Sequence, residues 1–278
     1  MKRVAIQGYR GSFHHIVAEA MEGCEVEILA CDTFREVAQA VEQRTVDYGI
    51  MAIENSIAGS ILPNYSLLQS CNVHITGEAY LPIRQNLMVN RGVSLEDIRE
   101  VESHHMALLQ CAEYLDSYRW QHIESADTAL SAAQLQASGS RTKAVIASSL
   151  AAELFNLDIV AADIHTIYDN YTRFLRIEYC DRSGFEPTHP TNGGKASLCF
   201  KIANKAGSLY ETLGCFVGLN INMTKLQSSP IPTEPWHYMF HLDMEFADGD
   251  QFATAIQRMR EQGVEVHIYG VYQKGAKL

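Results

Sequence analysis

A repeated unit constrains this chain more than any other feature: a short apolar run that stops at a turn-forming or capping residue, followed by residues with helical spacing. Val4-Ala5-Ile6 ends at Gly8, and Ser12 is placed to cap a helix reaching about Met21. Val26-Glu27-Ile28-Leu29 is a second strand, and Asp32-Thr33 opens another helix. Gly49-Ile50-Met51-Ala52-Ile53 is a buried strand that runs directly into Glu54-Asn55-Ser56. This order predicts an α/β fold with a mainly parallel, doubly wound sheet, in which ligands bind beyond the carboxyl ends of the strands. A second unit is expected over about 82–160, with strands at 86–89, 100–103, 122–125 and 144–147 and helices at 106–115 and 128–136. A strand at 173–178 is expected to return the chain to the first unit, which would make residues 1–180 two lobes around a cleft, an arrangement the pattern alone leaves open. Glu54-Asn55-Ser56 is expected on one wall and residues 103–110 on the other.

The pattern changes beyond residue 180. Residues 181–194 are rich in Gly, Pro and small polar residues, the composition of a linker. In 195–278, Ala196, Leu198, Phe200 and Ile202 alternate with Ser197, Cys199 and Lys201, which marks a strand with one buried face. Leu209, Leu213 and Phe216 repeat at helical spacing, 221–226 is a strand, and apolar residues alternate from Trp236 to Phe246. A helix at 250–261 and a strand at 264–269 complete a ferredoxin-like βαββαβ order.

Composition narrows the function classes. With 47% hydrophobic and 20% charged residues in 278, the chain has the make-up of a globular protein of two or three compact units. Its net charge of −11 provides no basic field for nucleic acid or an anionic membrane surface. No run of about 18 apolar residues occurs, and the opening residues enter a strand without an apolar targeting core. The expected location is the cytoplasm. Seven cysteines form no C-x-x-C pair and are expected as reduced thiols. His104-His105 lacks a third ligand at useful spacing, so no metal site is expected.

The chemistry concentrates in Asn170-Tyr171-Thr172-Arg173-Phe174, which sets an amide, a hydroxyl and a guanidinium side by side at the mouth of a strand. Arg173 is suited to a two-point grip on a carboxylate, and Thr172 to presenting a proton to a leaving oxygen. Earlier come Gly8-Tyr9-Arg10-Gly11-Ser12-Phe13, then Glu54-Asn55-Ser56 with Gly59, then Ser103-His104-His105-Met106-Ala107-Leu108-Leu109-Gln110-Cys111. In this order the set resembles prephenate dehydratases, and residues 195–278 resemble an ACT regulatory domain. Tyr9, His14 and Ser66 depart from that family's usual Pro, Ser and Asp.

The resemblance implies two lobes like a periplasmic binding protein. It also implies decarboxylating dehydration of prephenate to phenylpyruvate for phenylalanine synthesis, with no cofactor because aromatisation drives the reaction. Thr172 is then the catalytic hydroxyl and Arg173 pairs with a substrate carboxylate. Asn55, Ser56, Ser103, His104, Gln110, Asn170, Phe174, Gly11 and Ser12 are the expected substrate contacts. Two of these readings stay open: Glu54 shapes its loop by accepting backbone N–H groups or acts directly, and His104 caps the following helix or joins the site.

An L-phenylalanine effector is implied near Gly207, Ser208, Leu209, Asn220, Ile221, Asn222 and Gln227, although Gln227 and Ser229 replace the acid and guanidinium usual in relatives. A homodimer or homotetramer is expected, because the sheet of 195–278 leaves edges and one face to be covered. The alternatives are arogenate dehydratase, or a non-catalytic anion-binding module joined to an amino-acid sensor.

Overall fold

The computed structural model describes residues 1–181, 193–231, 234 and 236–278. The expected linker 181–194 therefore lies mostly outside the described residues.

The first lobe is built from β1 (Arg3–Gln7), α1 (Phe13–Glu22), β2 (Glu27–Cys31), α2 (Phe34–Glu42), β3 (Tyr48–Asn55), the two-residue β4 (Gly59–Ser60), α3 (Leu62–Ser70) and β5 (Val73–Pro82). The second contains β6 (Asn86–Val89), β7 (Glu100–His104), α4 (His105–Gln110), α5 (Ala112–Leu115), β8 (Gln121–Ser125), α6 (Thr128–Ser138), β9 (Lys143–Ala147), α7 (Ser149–Leu154) and β10 (Asp158–Ala161). The helix expected over 106–115 is broken at Cys111, whose backbone leaves the helical region. β11 (Tyr171–Tyr179) then re-enters the first lobe.

Both sheets are mixed, which corrects the mainly parallel expectation. The first has the order β2-β1-β3-β11-β5: β1, β2 and β3 are parallel, and β11 runs antiparallel to both its neighbours. A strand returning from the second lobe enters at the cleft end, so it must run against β3. The second sheet, β10-β6-β9-β7-β8, is parallel only at β9-β7-β8. The helices start where the sequence provides caps. Ser12 accepts from the His15 N–H, Thr33 from Glu36, and Asp127 from Ala129 and Leu130.

The third unit is β12 (Gly194–Lys201), α8 (Ser208–Leu213), β13 (Asn222–Pro230), β14 (Tyr238–Phe246), α9 (Gly249–Glu261) and β15 (Glu265–Tyr272). Its antiparallel sheet has the order β13-β14-β12-β15, the split βαββαβ arrangement. Seven of the eight β12 residues are buried, so this strand has two covered faces and not the one expected. Ala196, Leu198 and Phe200 pack under the unit's own helices, while Cys199, Tyr269 and Tyr272 join the core of the first lobe with Tyr65, Ile75 and Leu175. The approach is close at Gly270, where a Cβ would stand 2.2 Å from the Ile75 carbonyl oxygen. The sheet face expected to await a second copy is thus partly covered by the same chain. No helix among the described residues is long and apolar enough to cross a membrane.

Candidate active site

A cavity of about 610 Å³ lies between the first two lobes. Thr172 and Phe174 reach it from β11, Asn55, Ala58, Gly59 and Ser60 from the β3–β4 hairpin, and Ile83 and Gln85 from the crossover. His104, Met106, Ala107, Gln110, Asp127 and Thr128 form the opposite wall.

Asn55 organises the hydroxyl. Its Oδ1 accepts the backbone N–H groups of Ile57 (3.0 Å) and Ala58 (2.8 Å), which can only donate, so the other amide atom is the NH₂. That nitrogen donates to Asn170 Oδ1 at 2.7 Å, to Thr172 Oγ1 at 3.0 Å and to the Tyr171 carbonyl at 3.2 Å. Thr172 Oγ1 is therefore an acceptor in this bond, and its own proton can point to a group in the cavity.

The walls carry no Lys or Arg among the described residues. The carboxylates of Asp32 and Asp127 share the lining, and the groups that favour an anion are backbone N–H donors at helix starts. The caps of four helices, Ser12 (α1), Thr33 (α2), His104 (α4) and Asp127 (α6), all line the cavity, followed by first-turn residues Phe13, Phe34, Met106 and Thr128. The four helix starts favour an anion there, against the opposing charge of Asp32 and Asp127. His14 Nε2 is buried without a partner, its ring set edge-on to Phe174 at 4.9 Å, and burial pulls its pKa down to about 3. The ring is neutral at pH 7. Burial raises the Asp127 carboxyl, against the lowering effect of the Leu130 and Ala129 N–H groups.

The structure divides the expected site residues. Thr172, Asn55, His104, Gln110, Phe174 and Ser12 line the cavity, and His104 is also the α4 cap, accepting the Met106 N–H at Nδ1 over 3.2 Å. Asn170 stands behind Asn55, 1% exposed, and Ser56 fastens the loop by donating to the Asp169 carbonyl and accepting the Tyr171 N–H. Ser103 is fully buried and donates to the Ile146 carbonyl at 2.6 Å, because it points away from the cleft at the end of β7. Gly11 joins the lobes: its carbonyl accepts Ser148 Oγ, and at φ +90° a Cβ there would lie 3.1 Å from the Ala151 Cα.

Arg173 requires the largest correction. Successive residues of β11 face opposite sides of the sheet, so with Thr172 and Phe174 turned to the cavity, Arg173 is turned to the third unit. It is 5% exposed, donating through Nε to Glu78 (2.7 Å), through Nη1 to Asp243 and through Nη2 to Tyr272 Oη (2.9 Å). Lys195 completes the cluster on Glu78 at 2.9 Å, giving two cations and two carboxylates. Burial alone would raise the Asp243 pKa, but the Arg173 guanidinium holds it below the usual range. Glu54 also differs from expectation: its carboxylate meets the Lys225 ammonium at 2.9 Å.

Of the seven expected effector residues, Ser208 lines a separate cavity of about 640 Å³ in the third unit, with Lys201, Thr212 and Glu234, and its buried Oγ has no partner. Gly207 caps α8 at φ +88°, Leu209 packs on the unit's core, and Asn220 and Ile221 precede β13. Asn222 and Gln227 lie on β13 itself, and these six do not line the cavity. Sequence reasoning missed Gln85, Thr33, Asp32 and Asp127 in the cleft. The last three were legible as helix starts beyond strand ends, whereas Gln85 sits in a crossover with no pattern of its own.

Comparison with known proteins decides the family. The prephenate dehydratase family profile matches residues 4–181. The chain belongs to the prephenate dehydratase family. It is 36% identical to arogenate dehydratase/prephenate dehydratase 2 of Arabidopsis thaliana, covering 97% of this chain and 72% of that one. To the bifunctional chorismate mutase/prephenate dehydratase of Aquifex aeolicus it is 32% identical, covering 98% and 74%. Among solved structures, a prephenate dehydratase from Arthrobacter aurescens in complex with L-Phe shares the fold at TM-score 0.82, with 24% identity and coverage of 98% and 90%. A protein described as GqqA, a novel type of quorum quenching acylase, superposes at TM-score 0.87 with 26% identity, covering 98% of each chain. Like the family, this prephenate dehydratase homologue is an enzyme, a carbon–oxygen lyase.

Proposed function

We propose that the chain converts prephenate to phenylpyruvate, releasing carbon dioxide and water. The observation that carries this reading is the Thr172 hydroxyl, oriented by Asn55 in a cavity on which four helix N-termini converge. The substrate's carboxylates take the backbone donors at the helix starts, and the ring hydroxyl approaches Thr172. As the carboxylate leaves as carbon dioxide, its bond pair enters the ring, the carbon–oxygen bond breaks, and the departing oxygen takes a proton to become water. Prephenate dianion and one proton thus give phenylpyruvate anion, carbon dioxide and water. The electron pair ends in the aromatic ring, so the reaction calls for no external electron acceptor. Thr172 stabilises the developing charge on oxygen by hydrogen bonding and relays a proton drawn from solvent. Purified chain and prephenate, followed by phenylpyruvate absorbance, test this directly. Turnover that survives unchanged in Thr172→Ala removes the hydroxyl from the mechanism.

One observation favours arogenate as a second substrate. Asp32 and Asp127 line the cavity, as does Gln85, 3% exposed with its Oε1 unpartnered. These are acceptors, suited to the ammonium that arogenate carries where prephenate has a keto oxygen. Asp127→Asn separates the two: it should lower kcat/KM for arogenate at least tenfold more than for prephenate. Equal loss on both substrates removes the ammonium contact.

The third unit fits an ACT domain that binds phenylalanine and pairs with a second copy. Supporting this are its βαββαβ order, the unpartnered Ser208 hydroxyl beside the start of α8, and the apolar surface of Met223, Leu226 and Tyr238 on β13 and β14. Calorimetry with phenylalanine, and the mass of the protein in solution, test the two halves of this reading. No heat at millimolar ligand, or a monomer, would overturn the corresponding half.

A further inference from the structure

A side chain of the third unit reaches the active-site hairpin. Lys225 is carried by β13, an edge strand that among the described residues is hydrogen-bonded only to β14. The β13–β14 register shifts between Met223 and Lys225, placing Lys225 opposite Asp243 on the sheet face that packs on the first lobe. Its side chain is 8% exposed, and its ammonium reaches Glu54 Oε1 at 2.9 Å and Ser60 Oγ at 2.6 Å. Glu54 and Ser60 are partners across the β3–β4 hairpin, so one cation holds both strands of that rung. The next rung is Asn55 with Gly59. The turn between them provides the Ile57 and Ala58 N–H groups that fix the Asn55 amide, and that amide fixes Thr172.

We propose that Lys225 is a positioning residue for the reaction: from the third unit it holds the 54–60 hairpin in the conformation that orients Asn55 and, through it, the Thr172 hydroxyl. The inference rests on the dehydratase reading for its kinetic test but not for its structural one. Ser56 and the β11 ladder fasten the first strand of the hairpin, and Lys225 adds a tie across both of its strands from a strand with one free edge. Gln227 lies two residues along the same strand, opposite His241. Any ligand or partner that shifts β13 therefore moves Lys225, which gives the third unit a direct route to the catalytic hydroxyl.

The test uses the full chain and the variants Lys225→Met, Lys225→Arg and Glu54→Gln. Lys225→Met and Glu54→Gln should each lower kcat about tenfold with KM within twofold, and the double variant should lose no more than either alone. Lys225→Arg should recover most of the rate. In a Thr172→Ala background, Lys225→Met should have no further effect on kcat. Parental kcat in Lys225→Met, or multiplied losses in the double variant, would overturn the proposal. Hydrogen exchange at the Ile57 and Ala58 amides reads the hairpin without substrate. It should rise at least tenfold in Lys225→Met, and unchanged protection would overturn the proposal even if the parent turned over neither prephenate nor arogenate. Parental inactivity on both would sink the dehydratase reading by itself.

Discussion

Asn55 donates to Thr172 across the β3–β11 pair over 3.0 Å, so the hydroxyl is oriented by a residue 117 positions away in the chain. Its orientation depends on the amide, whose oxygen is held by two N–H groups of the same turn.

Thr172→Ala should lower kcat about 100-fold, or about 2.7 kcal/mol of barrier, with KM nearly unchanged, because the lost bond strengthens only as charge develops on the leaving oxygen. Thr172→Ser should keep much of the rate. Steady-state kinetics on prephenate check both, and a parental rate in the alanine variant would exclude the hydroxyl.

Asn55→Asp keeps the size and removes the donor, and its carboxylate would repel an anionic substrate. The expected loss is at least 100-fold in kcat/KM, with thermal stability close to the parent's. A loss of stability matching the loss of activity would instead make Asn55 a scaffold residue.

Arg173→Ala should act on stability more than on substrate binding. It leaves Asp243 without its guanidinium in a site 3% exposed, at a cost of about 3–5 kcal/mol. Urea denaturation measures this, and a rise in KM above about threefold in the folded fraction would return Arg173 to the substrate site. Arg173→Met combined with Asp243→Leu should recover part of the loss, since a balanced pair has then been replaced by apolar groups.

Acid should weaken the fold well before its carboxylates titrate. Burial holds His14 at about 3 and His241 at about 4, whereas in the unfolded chain both titrate near 6.5. As pH falls below about 6.5 the unfolded chain takes up protons that the folded chain refuses, so stability drops by up to ~1.4 kcal/mol per pH unit per ring. His14→Phe should shrink that slope in urea titrations between pH 7 and 5. An unaltered slope would assign the pH dependence to other groups.

A chain ending at residue 181 should be poorly soluble. It would expose Tyr65, Ile75 and Leu175, together with Arg173 and Glu78 stripped of Asp243 and Lys195. Size-exclusion chromatography checks this, and a monodisperse fragment that unfolds cooperatively would show that the first two lobes stand alone.

The alternation of short strands and helices disclosed the two lobes, and the N-x-T-R-F run disclosed the hydroxyl. What misled was treating neighbours as one kit, since adjacent strand residues cannot face the same cleft. That geometry alone separates Thr172 from Arg173. β12 misled for a different reason: Lys195 and Ser197 look solvated, but they are buried against Glu78, Asp243 and Tyr272. Long-range ion pairs leave no periodicity in a sequence, and neither does Lys225 reaching Glu54.

The placement of β11 between β3 and β5 has a consequence for synthesis. The second lobe is a contiguous insertion in the first, so a ribosome delivers β1 to β5 long before the strand that completes their sheet. Until residue 179 has emerged, β3 and β5 have unfilled edges facing each other, and the nascent chain has neither the Thr172 hydroxyl in place nor a sealed core. Pairings of such high sequence separation form late and slowly. The second lobe, complete in one stretch, can fold while it waits, and the interval is when this protein is most exposed to aggregation and to chaperones.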